Sequence, residues 1–311
     1  MGLCDTINTS SSLIRIDGKI KNLSTDYLID NSIHEKIKKH YKLNSKIGEG
    51  GFGKVFLAED NSGETYAIKC FEKKKFTNNN FSMNEIKIGL KVKHPNIIRI
   101  KEIYEDMKSI YLVMEYCNGG NLLDYIVKAP NGKLDDITTI NIVIQILDAL
   151  NYLHNVIKIC HRDIKPENCL ISFNEENKPI IKLIDFGTAQ NIDKNKKFKG
   201  KIGTIKYMAP EIFVRPFYDE KVDLWSVGII LYNMATGRDA FELEIKENTN
   251  IDILNKEIIF DLIGNEDIRN LCKELLERNP NKRIEAKVAL KKAKIIKQKL
   301  CMNFNEYYYY K

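Results

Sequence analysis

Residues 48–69 read GEGGFGKVFLAEDNSGETYAIK. The first eight, Gly48, Glu49, Gly50, Gly51, Phe52, Gly53, Lys54 and Val55, satisfy one phosphate-binding pattern, G-x-G-x-x-G-x-V, and miss a second, G-x-x-x-x-G-K-[ST], only at Val55. The residues after the glycines separate the two readings, and with them two fold classes. The second pattern must lead straight into a helix, whose N-terminal N–H groups complete the anion site. Here VFLA at 55–58 and TYAIK at 65–69 are β-rich runs on either side of Asp60-Asn61-Ser62-Gly63, a cluster of turn residues, so the glycines open a β-hairpin. Lys54 then becomes an exposed hairpin residue, and the phosphate-binding cation is sought on the following strand, at Lys69.

Outward from this hairpin the chain divides by character. Residues 1–40 are polar and mixed, a leader outside the main core. Residues 41–114 form a small β-rich lobe, with one helix near 82–91 and β-like runs at 97–103 and 110–114. A hinge at 115–120 leads to a larger helical lobe, 121–297, in which Ile137, Ile140, Ile144, Leu147 and Leu150 recur at helical spacing, with further amphipathic segments at 222–235, 267–276 and 285–299. A short tail, 298–311, closes the chain, and there is no internal repeat. The expectation is an α+β molecule of two lobes.

Composition fits an enzyme-sized body: 311 residues, 43% of them hydrophobic, supply a substantial core. With 49 basic against 42 acidic residues the net charge is +7, too mild to establish a nucleic-acid partner, and none is expected. The cysteines, Cys4, Cys70, Cys117, Cys160, Cys169, Cys272 and Cys301, never fall in a C-x-x-C pair, which argues for reduced thiols inside a cell rather than disulfides or a zinc site. Consecutive apolar runs such as 227–232 fall short of a bilayer span, so the chain is expected to be soluble unless anchored.

Phosphoryl transfer needs backbone N–H groups over the phosphates, a cation on them, oxygen ligands for a metal, and a carboxylate to orient the attacking hydroxyl. The chain offers a candidate for each, in order. Gly48, Gly50 and Gly53 let a hairpin backbone approach phosphates. Lys69 reaches the α and β phosphates if Glu85, in the next helix, holds it. The sharpest signal is His161-Arg162-Asp163-Ile164-Lys165-Pro166-Glu167-Asn168: Asp163 accepts the hydroxyl proton, Lys165 neutralises the transferred group and Asn168 supplies a metal-binding amide oxygen. Asp185-Phe186-Gly187 adds the second metal ligand.

This ordered set resembles protein kinases, over about residues 41–297, and is joined by Met208-Ala209-Pro210-Glu211, Asp223-Leu224-Trp225-Ser226 and Arg283. The resemblance implies ATP and Mg2+ as cofactors and proteins as substrates, with serine or threonine as acceptor given Lys165 and Gly203-Thr204. It implies that Glu211 pairs with Arg283, that Asp223 braces the catalytic loop, and that Thr204 holds Asp163 and Lys165. Val55 and Ala67 would line the adenine pocket, Met114 would be its gatekeeper, and the Glu115 carbonyl and Cys117 amide would bind the adenine edge. Residues 197–204 and 94–98 are similar to the calcium-dependent and calmodulin-dependent kinases. A scaffold that binds ATP and partners without turnover is the alternative, although Lys69, Asp163, Asn168 and Asp185 are all present.

Departures from the family pattern carry their own expectations. No loop of the form D-x-[DN]-x-[DN]-G-x5-E occurs in these residues, so direct calcium control is not expected. Residues 189–203 contain no Ser, Thr or Tyr, and Gly200 stands where relatives carry a phosphoacceptor or an acid, so phosphorylation there cannot switch the enzyme on. Gly89, a turn after Glu85, is expected to leave a packing site empty unless Leu90 repacks into it, so that the regulatory helix is loosely held and invites an activating protein or the leader. Asn121 and Asn233 replace acidic groups that would bind substrate arginines, leaving Glu167, so arginine preference should be weak. Finally, Met1-Gly2-Leu3-Cys4-Asp5-Thr6 satisfies M-G-x-x-x-[ST], making Gly2 a candidate for myristoylation, Cys4 for palmitoylation, and the membrane a candidate partner of an otherwise cytoplasmic protein.

Overall fold

In the computed structural model, which describes residues 14–15, 37–50, 53–74, 81–106, 108–193, 197–241 and 255–309, the glycine-rich stretch does form a hairpin. Strand β2 (Tyr41–Gly50) turns back into β3 (Gly53–Asp60), and the Asp60-to-Gly63 turn leads into β4 (Thr65–Glu72). Asp60 closes that turn: its carboxylate accepts from Ser62 N–H (2.9 Å) and Glu64 N–H (3.1 Å), the local side-chain bonding that makes Asp a turn residue. Helix α1 (Phe81–Lys91), β5 (Ile100–Glu105) and β6 (Ser109–Glu115) come next. With β1 (Ile14–Arg15) they build an antiparallel sheet ordered β1-β5-β6-β4-β3-β2. The two leader residues pair with Ile103 and Glu102 at the sheet edge.

The chain separates into two units, Met1–Lys91 with Arg99–Tyr116, and Val92–Ile98 with Cys117–Lys311. In the first, one apolar cluster gathers Ile37, Tyr41, Ala58, Tyr66, Ile68, Tyr104, Tyr111 and Val113. A second, Phe71, Ile86, Ile100, Ile103, Ile110 and Leu112, seats α1 on the sheet through Ile86 and Leu90. The alternation of β4, whose Ile68 and Phe71 belong to different clusters, is what lets one strand serve two layers. Two expectations fail here. The apolar run 97–103 is not one strand: Ile98 N–H donates to Leu183 C=O (3.0 Å) and Leu183 N–H to Asn96 C=O (2.9 Å), so only Ile100 onward joins the sheet. And the site at Gly89 is not empty. A Cβ there would come within 2.5 Å of Ile100 Cδ1, so Ile100 already fills the space.

The second unit is mostly helical: α2 (Leu122–Lys128), α3 (Asp136–Asn151), the short α4 (Glu211–Val214), α5 (Lys221–Thr236), α6 (Glu266–Leu275) and α7 (Ala286–Tyr309). Asn121, Asp135 and Asn265 cap α2, α3 and α6, each accepting an N–H of the first turn. Of the predicted stripe α3 buries Ile140, Leu147 and Leu150, while Ile137 and Ile144 are only half-buried; it also buries Ile142, Val143 and Ile146 because it packs on α5 and α7 together. It continues into a π turn, Tyr152–Ile157. The combined 22 residues, 136–157, are long and apolar enough to cross a membrane, yet half of their apolar window is buried in the protein, as a core helix requires. α5 is buried at every position from Val222 to Ala235. Two short ladders position the loops that carry the candidate catalytic residues: β7 (Ile159–Cys160) with β10 (Gln190–Asn191), and β8 (Cys169–Phe173) with β9 (Pro179–Leu183).

Candidate active site

In the first unit the strand register arranges the predicted nucleotide residues. Gly48 pairs with Val55, Val55 with Lys69, and Ala67 with Met114. Lys69 Nζ lies 2.6 and 2.8 Å from the two oxygens of Glu85, a bidentate pair largely sheltered from water. Glu49 is tied to Lys46 (2.6 Å). Gly51 and Phe52 lie outside the described residues, as do Gly2 and Cys4. At Gly53 a Cβ would overlap the Cys70 carbonyl oxygen on β4, so the sheet itself demands glycine there, whatever ligand the hairpin covers. At Gly48, by contrast, a Cβ would meet Val55 at an ordinary 3.7 Å. Glu115 ends β6 and exchanges hydrogen bonds with Arg99, whose N–H reaches its carboxylate at 2.7 Å and whose C=O accepts its N–H at 3.2 Å. Cys117, in the second unit, is buried.

In the second unit the loop 161–168 runs from β7 into a 3-10 turn, Pro166–Asn168. Three groups converge on Asp163. Thr204 Oγ1 donates to its Oδ1 (2.9 Å), Lys165 Nζ lies 2.9 Å from its Oδ2, and Asn168 Nδ2 donates both to its backbone C=O (2.8 Å) and to Oδ2 (3.1 Å). Lys165 Nζ also donates to Thr204 Oγ1 (2.9 Å), so one hydroxyl ties the carboxylate to the ammonium. Arg162 and Asp185 carry φ of +67° and +65°, a left-handed backbone that costs a non-glycine residue of the order of 1–3 kcal/mol and persists only where surroundings enforce it.

Asp223, on α5, is what enforces it at Arg162. Its two oxygens accept from Arg162 N–H (2.8 Å), His161 N–H (2.9 Å), His154 Nε2 (2.8 Å) and Cys160 Sγ (3.4 Å). Burial alone would raise its pKa; the bond from His154, with the N–H donors, outweighs burial and holds the carboxyl below its ordinary value of 3.8. His154, Cys160 and Asp223 have metal-ligand chemistry within 4.8 Å, but with four donors already on the carboxylate the cluster is a brace. Asp185 is set by its neighbours: its Oδ1 accepts Gly187 N–H (3.2 Å), Phe186 is buried against the His161 ring (5.2 Å), and His161 Nε2 lies 3.0 Å from Ile184 C=O. Glu211 and Arg283 form a buried bidentate pair at 2.6 and 2.9 Å, with Arg283 against the face of Trp225.

The structure thus gathers Asp163, Lys165, Asn168 and Thr204 in one constellation, and separately joins Lys69 to Glu85 and Glu211 to Arg283. Sequence reasoning missed His154, Phe198 and Tyr218. His154 sits in a π turn that helical periodicity does not register, and Phe198 meets Tyr218 through a bridge between distant residues. Chemically, the constellation presents a carboxylate whose charge is held by a hydroxyl, an amide and an ammonium, suited to orient an attacking hydroxyl and to meet developing negative charge.

Comparison with known proteins gives the same direction. The family described as protein kinase domain matches residues 41–294. The chain is 36% identical to Calcium-dependent protein kinase 5 of Plasmodium berghei (strain Anka), across 97% of this chain and 52% of that protein. It is 35% identical to the Aurora kinase of Eremothecium gossypii, across 83% and 70%, and 35% identical to the probable serine/threonine-protein kinase fhkD of Dictyostelium discoideum, across 86% and 38%. The chain spans about half the length of the calcium-dependent relative, and less of the last.

Proposed function

This chain belongs to the protein kinase family, and from that premise we propose that it transfers the γ-phosphate of ATP to serine or threonine hydroxyls of protein substrates. The observation that carries the reading is the bonding of Asp163 to Thr204, Lys165 and Asn168. Asp163 orients the acceptor hydroxyl and takes its proton, while Lys165 meets the charge on the transferred group. Lys69, pinned by Glu85, is the cation for the α and β phosphates.

The donors fit a magnesium ion. Asn168 turns its amide N–H groups to Asp163, which leaves the amide oxygen to offer, and Asp185 is a carboxylate, so both ligands are the hard oxygens that Mg2+ prefers. When bound, the ion neutralises phosphate charge during transfer. Phosphate transfer from ATP to a generic protein, compared with Asp163→Asn and Lys69→Met, tests the reading. Labelling that both substitutions abolish, with ATP binding retained in Asp163→Asn, is the expected result. Partner binding without turnover by the unaltered chain would make it a scaffold instead.

The N-terminal Met1-Gly2-Leu3-Cys4 supports a second part of the proposal, that Gly2 is myristoylated and Cys4 palmitoylated, placing the enzyme on a membrane. Two acyl chains anchor stably where one does so only marginally. Mass spectrometry of native protein should find both lipids, and Gly2→Ala should move the protein to the soluble fraction; an unmodified N-terminus on membrane-bound protein would defeat the idea.

A further inference from the structure

Arg162 stands beside Asp163, where a partly buried guanidinium needs compensation. A phosphate is the obvious candidate, but residues 189–203 carry no hydroxyl, and the two nearest are committed. Thr188 Oγ1 donates to His161 C=O (3.0 Å), and Thr204 Oγ1 lies between Asp163 and Lys165. Among the described residues no carboxylate forms an ion pair with the Arg162 guanidinium. Its Nε donates to Thr188 C=O (2.7 Å), and its Cζ lies 5.6 Å from the centroid of the Phe198 ring. The Tyr218 hydroxyl donates to Gly200 C=O (3.0 Å), and the nearby Arg162 charge opposes the rise that burial gives the Tyr218 pKa.

Phe198 and Tyr218 form a unit. Their rings lie 5.8 Å apart, and their backbones exchange N–H···O=C bonds of 2.9 and 3.1 Å. Both are nearly inaccessible, 2% and 4% exposed, in a stretch whose neighbours Lys197, Lys199 and Lys201 are exposed. An aromatic face attracts a cation more strongly as water is excluded, so a buried ring can hold this charge where an exposed one could not.

We infer that Phe198 and Tyr218 are positioning residues: their aromatic clasp receives the Arg162 guanidinium in place of a phosphate and keeps residues 197–204 docked beside Asp163, so that turnover requires no modification of that segment. The inference rests on the proposed kinase activity and adds to it how the segment is held.

The test uses the full chain, treated with phosphatase and shown by mass spectrometry to carry no phosphate, with two readouts: kcat and KM for ATP, and the rate of tryptic cleavage after Lys197, Lys199 and Lys201. The phosphate-free protein should keep its kcat. Phe198→Leu retains apolar bulk but loses the ring face, and should lower kcat by about tenfold with little change in KM for ATP, while cleavage accelerates. Phe198→Tyr should restore both. Loss of turnover on phosphatase treatment, or a Phe198→Leu protein with undiminished kcat and protection, would overturn the inference. Should no form transfer phosphate, the kinase reading fails, and the cleavage rates of wild type and Phe198→Leu still decide the clasp.

Discussion

The buried pair Glu211–Arg283 shows what a single residue can cost this molecule. Both side chains are almost wholly excluded from water, and Arg283 also donates to the carbonyls of Glu277 and Lys221. Removing one partner strands the other charge, and breaking such a pair costs about 3–5 kcal/mol. Glu211→Ala should therefore lower the urea midpoint by that equivalent at unchanged slope, whereas a shift under about 1 kcal/mol would mean that water reaches Arg283. Gly48 and Gly53, two of the hairpin's glycines, make a finer contrast. Gly53→Ala drives a Cβ into the Cys70 carbonyl and should destabilise by about 1–3 kcal/mol, while Gly48→Ala, with open contact to Val55, should fold normally. If both variants melted alike, the close approach at Gly53 would not be what selects glycine there.

Among the elements, α1 and α5 carry opposite lessons. Gly89 costs α1 about 1 kcal/mol of helix propensity relative to alanine, but Gly89→Ala meets Ile100 Cδ1. The single substitution should gain little, and Gly89→Ala with Ile100→Val, which removes that methyl, should be the more stable of the two in thermal unfolding. α5 buries Asp223 as a carboxylate whose pKa is held below 3.8. A group depressed in the folded state adds stability that is present above its unfolded value and is lost as pH falls through the folded one. Stability should therefore drop below about pH 4 in part through this group, and Asp223→Asn should flatten the acid limb of a pH series of urea melts while lowering stability at neutral pH. The elements themselves were largely legible: strong periodicity placed α3, α5, α6 and the hairpin within a few residues. The run 97–103 misled because short β-branched stretches do not say which partner they bond. Asp163 through Asn168 could be read from adjacent residues, whereas the support from His154, Phe198 and Tyr218 comes through non-local pairing that no local pattern encodes.

Across the whole molecule, the balance of charge bears on which proteins it would phosphorylate. The chain carries +7, and the two amides that stand in place of acids are used internally. Asn121 caps α2 and donates to Asp124 Oδ2 (2.9 Å). Asn233 donates to Arg238 C=O (2.7 Å) and Asp239 Oδ1 (3.1 Å), and Asp239 is matched by Lys206 at 2.6 Å. Glu167 is left as an exposed carboxylate beside the site. An exposed ion pair contributes about 1 kcal/mol at most, which bounds the selection for an upstream arginine at roughly fivefold. A peptide array scanning arginine through the positions before the acceptor should show enrichment no larger than that. Asn121→Asp keeps the helix cap and adds a carboxylate, so it should raise the enrichment severalfold. A wild-type preference of a hundredfold or so would require a buried, well-formed arginine pair, and the charge reading of this surface would then be wrong.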